Sequence, residues 1–157
     1  MEMPVERGIA LVLGMDPVDA PTAIPRREQY AAWAALAGEA LEGYDALYVH
    51  IKGPDVPAHD GRAGDKLEVV EDIDTFFFGQ VLPLMADGKT LLAVTADHAT
   101  SCVRRAHTAD PVPLLVSGPG VAPDSADAFS EAAAAHGSLG RLMGTEIVPR
   151  LVDLLRG

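Results

Sequence analysis

The sequence predicts an α/β fold: a three-layer α/β/α arrangement around a mainly parallel sheet. Three short runs, residues 46–51, 91–96 and 112–117, are apolar on both faces, as strands covered from both sides are. They alternate with longer segments of helical period. Clusters of aspartate and histidine follow the first two runs, at the strand ends where open α/β sheets place their ligands.

Taken in order, residues 8–14 form a short apolar run between glycines, helix or strand by periodicity alone. Residues 16–25 carry three prolines and predict a loop. Residues 26–41 are rich in Ala, Leu, Glu and Gln, with Trp33, Leu36 and Ala40 close to one face and Gly43 as a stop, so a helix is expected. Residues 46–51 are β-branched and aromatic, a buried strand. Residues 53–64 predict a polar loop rich in Gly and Pro.

Residues 65–85 form the longest helical pattern, with Leu67, Val70, Ile73 and Phe77 as its apolar stripe. Asp65 is placed as N-cap with Glu68 three residues on, and Pro83 ends or kinks the helix. Asp87-Gly88 is a turn, 91–96 the second strand, and 112–117 the third, closed by Gly118-Pro119-Gly120. Residues 124–128 form a loop. The last helix is expected over 138–154, with Leu139, Leu142, Ile147, Leu151 and Leu154 inward.

Composition narrows the function. With 157 residues, 48% apolar and 22% charged, the chain can bury a core and is not disordered. A net charge of −11 repels phosphate backbones, which argues against nucleic acid as a partner. No apolar run reaches the ~18 residues that span a bilayer, so no membrane partner is expected, and the start does not resemble a signal peptide. The single cysteine, Cys102, reads as a small buried hydrophobe and allows no internal disulfide, consistent with a reducing cytoplasm.

The chemistry-bearing residues are Asp55 with His59, Asp97 with His98, and His107. Carboxylate oxygen and imidazole nitrogen together suit Mn²⁺ or Zn²⁺. Asp55 and His59 are four apart, so one helical turn puts both on one face, and a loop also permits chelation. A bland alternative is a hydrogen-bonded structural pair at each strand end. Lys52, Arg104 and Arg105 are candidates for phosphate oxygens, or simply solvated cations. His50 reads as a satisfied strand-end histidine and His136 as an exposed helix-end residue. Asp60 and Asp65 read as loop and cap acids.

Three segments carry a family resemblance. Tyr48-Val-His-Ile-Lys-Gly-Pro-Asp-Val-Pro-Ala-His-Asp-Gly61 resembles the metal-binding stretch of the archaeal-type cofactor-independent phosphoglycerate mutases, of the alkaline phosphatase superfamily. Thr95-Ala-Asp-His-Ala-Thr100 and His107-Thr-Ala-Asp-Pro-Val-Pro113 resemble the next two motifs, and Gly137-Ser-Leu-Gly-Arg141 the segment before the last helix. The likeness runs from about Arg7 to the C-terminus.

The resemblance implies that residues 1–157 are the C-terminal metal-binding part of an alkaline-phosphatase-like core. The family's N-terminal core portion and inserted domain have no counterpart in this sequence. It implies two divalent metals, Mn²⁺, Zn²⁺ or Mg²⁺, of which this chain completes at most one. Asp55, His59 and His107 resemble the ligands of one metal, and Asp97 and His98 half the ligands of the other. The serine that is phosphorylated belongs to the N-terminal portion, so no catalytic nucleophile is assigned here; Ser101 stands where a proline is expected. The implied activity is interconversion of 3- and 2-phosphoglycerate, completed by that portion. Alternatives are another phosphohydrolase or phosphonate hydrolase of the superfamily, or a non-catalytic metal-binding module. Self-association through an open sheet edge is also expected.

Overall fold

The computed structural model describes residues 4–156, with Asp87 described by its backbone alone. Residues 4–84 and the hairpin tip Ser101–Ala106 make one compact unit; Met85–Thr100 and residues 107–156 make a second.

The first unit is helical. Helix α1 spans Pro4–Val12, α2 Arg26–Leu41, α3 Asp55–His59, α4 Ala63–Ile73 and α5 Gly79–Leu84, with a π-helical turn, Asp74–Phe78, joining α4 to α5. The 8–14 run therefore resolves as helix over most of its length. Helix α2 has the bounds the sequence predicts. It begins after Pro25, and its end is closed by Gly43 N–H on the Ala40 carbonyl, 3.0 Å.

The core of this unit is Tyr30, Trp33 and Ala34 of α2 against Phe77 and Val81. Tyr30 meets Trp33 edge to face at 5.9 Å, and the indole N–H donates to the Pro21 carbonyl at 2.7 Å. That bond satisfies the one polar atom of a buried indole.

The predicted stripe on the long helix holds at Ile73 and Phe77 and fails at its first two positions. Leu67 and Val70 are exposed, whereas Val69, Asp72, Phe77 and Val81 are buried. The inward hydrophobic positions Val69, Ile73, Phe77 and Val81 recur every four residues. In a straight α-helix each such step drifts about 40° off the face. The π turn, with its wider i→i+5 closure, absorbs the drift and keeps the stripe on α2. The helix also starts at Ala63, with Arg62 rather than Asp65 as N-cap. Asp65 lies in the first turn, ion-paired to Arg62, and so serves the helix dipole instead.

Asp72 is the buried acid of this face. It accepts from Arg26 Nε at 2.7 Å and Arg27 Nε at 2.9 Å. Burial pushes its carboxyl up, but the hydrogen bonds and charges of Arg26 and Arg27 outweigh this and hold it below the ordinary carboxylate value. Arg27 in turn lies over the Phe76 ring, 5.4 Å from its centroid.

The second unit carries strands β1, Leu92–Val94, and β4, Leu115–Ser117. They pair antiparallel, Leu92 with Ser117 and Val94 with Leu115. Strands β2, Ala99–Ser101, and β3, Ala106–Thr108, form a hairpin with no counterpart among the expected strands. The class is α/β, but the ladders differ from the parallel sheet expected. Among the described residues 46–51 pair with no strand, because a strand needs a hydrogen-bonding neighbour that β propensity alone does not supply. Gly118 lies where a Cβ would come within 2.6 Å of the Thr90 carbonyl oxygen, so only glycine lets β4 leave β1 there.

Helix α6, Glu131–Ala134, is capped by the Ser130 hydroxyl, which accepts from Ala133 N–H at 3.2 Å. Helix α7 runs Gly144–Arg156, starting six residues later than expected. Leu139 and Leu142 precede it. Its start is set by Glu146, whose carboxylate accepts from Met143 N–H at 2.6 Å, half of a capping box. Asp124 ties the preceding loop by accepting from Ser138 N–H, 2.6 Å, and Ala126 N–H, 2.9 Å; these bonds lower its carboxyl pKa. No helix among the described residues is long and apolar enough to cross a membrane.

Candidate metal centre

In the first unit the loop 53–64 contains helix α3, which settles the open choice for Asp55 and His59. Both side chains share one face, and His59 Nε2 lies 3.4 Å from Asp55 Oδ1. Five residues are too few to hold a helix alone. The end is fixed by Gly61 at φ +73°, with Arg62 N–H on the Pro57 carbonyl, 2.8 Å, and Gly61 N–H on the Ala58 carbonyl, 3.1 Å. This is a Schellman closure, and it needs a left-handed residue. The start is fixed by packing: a Cβ on Gly53 would overlap the Tyr30 hydroxyl and come within 2.9 Å of Val69 Cγ1. The helix is thus seated on the core described above.

The ring of His59 carries chemical information. Its Nδ1 lies 3.2 Å from the Arg105 carbonyl oxygen. A carbonyl only accepts, so Nδ1 holds the proton. In the neutral ring Nε2 then carries a lone pair directed toward a carboxylate oxygen. Two acceptors 3.4 Å apart repel unless a cation lies with them, either a second proton on the ring or a metal ion. Lys52 Nζ stands 3.5 Å from Asp55 Oδ2, so this predicted phosphate contact faces the acid.

In the second unit Asp97 and His98 lie just beyond β1. His98 Nε2 is 3.3 Å from Asp97 Oδ2, and its Nδ1 is 3.2 Å from the hydroxyl of buried Thr100. Asp97 also accepts from His98 N–H at 3.0 Å. His107, in β3, stacks on the His98 ring with centroids 3.7 Å apart. The predicted ligands therefore fall into two groups: Asp55 and His59 in the first unit; Asp97, His98 and His107 in the second.

Arg104 and Arg105 lie on the hairpin tip with exposed side chains. Cys102 is half-buried where a buried side chain was expected, and His136 is exposed, as expected. His50 departs from expectation, since its Nδ1 is buried without a hydrogen bond, following the loss of the predicted strand. Sequence reasoning missed Thr100 and the Arg105 carbonyl as partners of the histidines. A backbone oxygen leaves no trace in residue identity.

Paired carboxylate and imidazole donors, each imidazole held through its other nitrogen, are the local architecture of a divalent-metal protein. The chain belongs to the Metalloenzyme superfamily, whose model matches residues 18–153. It is similar along its whole length to the 2,3-bisphosphoglycerate-independent phosphoglycerate mutase of Aeropyrum pernix, 42% identical over 161 residues, all of this chain and 38% of that one. The mutase of Pyrobaculum neutrophilum is 38% identical over 150 residues, 95% of this chain and 36% of that one. Among solved structures, the PH0037 protein of Pyrococcus horikoshii superposes with a TM-score of 0.88 at 35% identity, covering 96% of this chain and 46% of that one. The chain thus spans well under half the length of the relatives it matches. The resemblance drawn from its motifs holds across the whole chain.

Proposed function

We propose that this chain supplies the metal-binding portion of a phosphoglycerate mutase that interconverts 3- and 2-phosphoglycerate. Asp55, His59 and His107 hold one divalent ion, Mn²⁺, Zn²⁺ or Mg²⁺. Asp97 and His98 contribute to a second, whose other ligands, the phosphorylated serine included, come from polypeptide matching the rest of the relatives' length. Divalent ions at such a site stabilise charge on a transferring phosphoryl group. Lys52, Arg104 and Arg105 are the cations of this chain offered to the substrate's phosphate. The setting is cytoplasmic, with neither nucleic acid nor membrane as partner, and the chain alone self-associates.

The observation that carries the reading is the shared face of α3, where His59 Nε2 and Asp55 Oδ1 stand 3.4 Å apart with His59 Nδ1 tied back to the Arg105 carbonyl. Whole-length similarity to mutases supports the reaction class. The test is titration of the 157-residue chain with Mn²⁺ and Zn²⁺, followed by assay of 3-phosphoglycerate turnover with and without the serine-bearing portion. Binding lost in Asp55→Ala and in His107→Ala, and turnover only in the mixture, are the expected results. Binding unaffected by either substitution would end the ligand assignment. Turnover by the chain alone would end the division of labour.

A further inference from the structure

The geometry points to the hairpin tip Ser101–Ala106 as the device that sets the tautomer and aim of His59, through the Arg105 main chain rather than its guanidinium. This rests on the reading of His59 as a metal ligand. The tip lies in the same compact unit as α3, although His59 and Arg105 are 46 residues apart in sequence.

Two bonds clamp the tip. Arg105 N–H donates to the Ser101 carbonyl at 2.7 Å, and Arg104 N–H donates to the Ser101 hydroxyl at 3.2 Å. Closing the turn this way drives Arg105 to φ +52°, the left-handed region; among the described non-glycine residues it alone has positive φ. A residue with a Cβ is strained there, because the Cβ crowds the neighbouring carbonyl oxygen. What that conformation delivers is a carbonyl oxygen 3.2 Å from His59 Nδ1. The ring proton is thereby held at Nδ1, and the Nε2 lone pair is directed toward Asp55.

The tip is also seated against the α3 closure. A Cβ on Gly61 would lie 2.6 Å from Arg105 Nε and 3.2 Å from the Cys102 carbonyl oxygen. Gly61 therefore has two reasons to be glycine: its own left-handed φ, and room for the tip beside the residue two before it. Partners of this kind behind metal-binding histidines are worth roughly 10–100-fold in metal affinity. Arg105, Ser101 and Gly61 are on this account positioning residues.

The test separates main chain from side chain. Arg105→Val places a β-branched residue where φ is positive, so the turn must reopen and the carbonyl must move. Arg105→Gly keeps the turn and discards the guanidinium. Two readouts apply to the whole chain: the His59 tautomer from ring ¹⁵N shifts in metal-free protein, and Zn²⁺ affinity by calorimetry. Wild type and Arg105→Gly should show the Nδ1–H tautomer and Zn²⁺ affinities within about threefold. Arg105→Val should show mixed tautomers and about tenfold weaker Zn²⁺ binding. An unchanged tautomer in Arg105→Val overturns the proposal, as does a loss in Arg105→Gly equal to that in Arg105→Val. If wild type takes up no Zn²⁺, the metal reading fails while the tautomer comparison still decides this one.

Discussion

Replacing Gly53 by alanine adds one methyl group at the point where α3 rests on the core. The new carbon would overlap the Tyr30 hydroxyl and stand 2.9 Å from Val69 Cγ1, where ordinary contact begins near 3.4 Å. Tyr30 cannot swing aside: it is 3% exposed and packed on Trp33, itself tethered to Pro21. Val69 is equally enclosed. The backbone must therefore retreat by roughly 0.5–1 Å, and overpacking of this kind costs about 1–3 kcal/mol. Asp55 lies two residues on, and metal ligands tolerate displacements of only ~0.2 Å. Zn²⁺ affinity should then fall about tenfold. Trp33 is the single tryptophan and sits in the affected core, so its fluorescence in a urea titration reports the stability term directly. Calorimetry reports the affinity. A Gly53→Ala protein with an unshifted urea midpoint and wild-type affinity would refute the claim that α3 is aimed by its seat on Tyr30 and Val69.

Other consequences follow from the same contacts. Asp72→Asn should destabilise the chain by about 1–3 kcal/mol at neutral pH, since it removes the charge on which Arg26 and Arg27 converge. The folded carboxyl is held below its ordinary value, so its stabilisation is full above the unfolded pKa and lost as pH falls through the folded one. Wild-type and Asp72→Asn urea midpoints should therefore begin to converge only below about pH 4 and meet once the pH is under the depressed folded value; a constant gap would contradict the pairing. Phe77→Ala should cost about 3–5 kcal/mol in the same assay, as a large side chain leaves an enclosed core. Metal binding should weaken as pH falls from about 8 to about 5, because imidazole must be neutral to ligate. Calorimetric affinities that do not change over that range would exclude histidine as a ligand.

The residues differ in how far their sequence revealed them. Helix α2 was legible because composition, periodicity and the Gly43 stop agree. Asp55 and His59 were legible as a pair because their spacing suits either backbone state. Residues 46–51 misled because β-branched composition describes a side-chain environment, while a ladder requires a neighbour. The long helix misled for a subtler reason. Mixed steps of three and four in residues 65–85 point to Leu67 and Val70, whereas Val69, Ile73, Phe77 and Val81 recur strictly by four. A sustained period of four is itself the trace of a widened turn, so this feature lay open in the sequence. The hairpin 99–108 was hidden because its pairing joins short polar segments with no alternation.

The π turn at Asp74–Phe78 also makes the chain's length, at that point, as consequential as its composition. Straightening this turn into an ordinary α-helix while keeping every residue would swing every later side chain of α5 by about 100°. Val81 would leave the core. Leu84, whose Cδ1 stands 3.0 Å from where a Gly38 Cβ would be, would lose its seat on α2. No single substitution in the stripe displaces so many contacts at once. In this helix the reading frame of packing, one residue longer than the α-helical period permits, is what the core is built to.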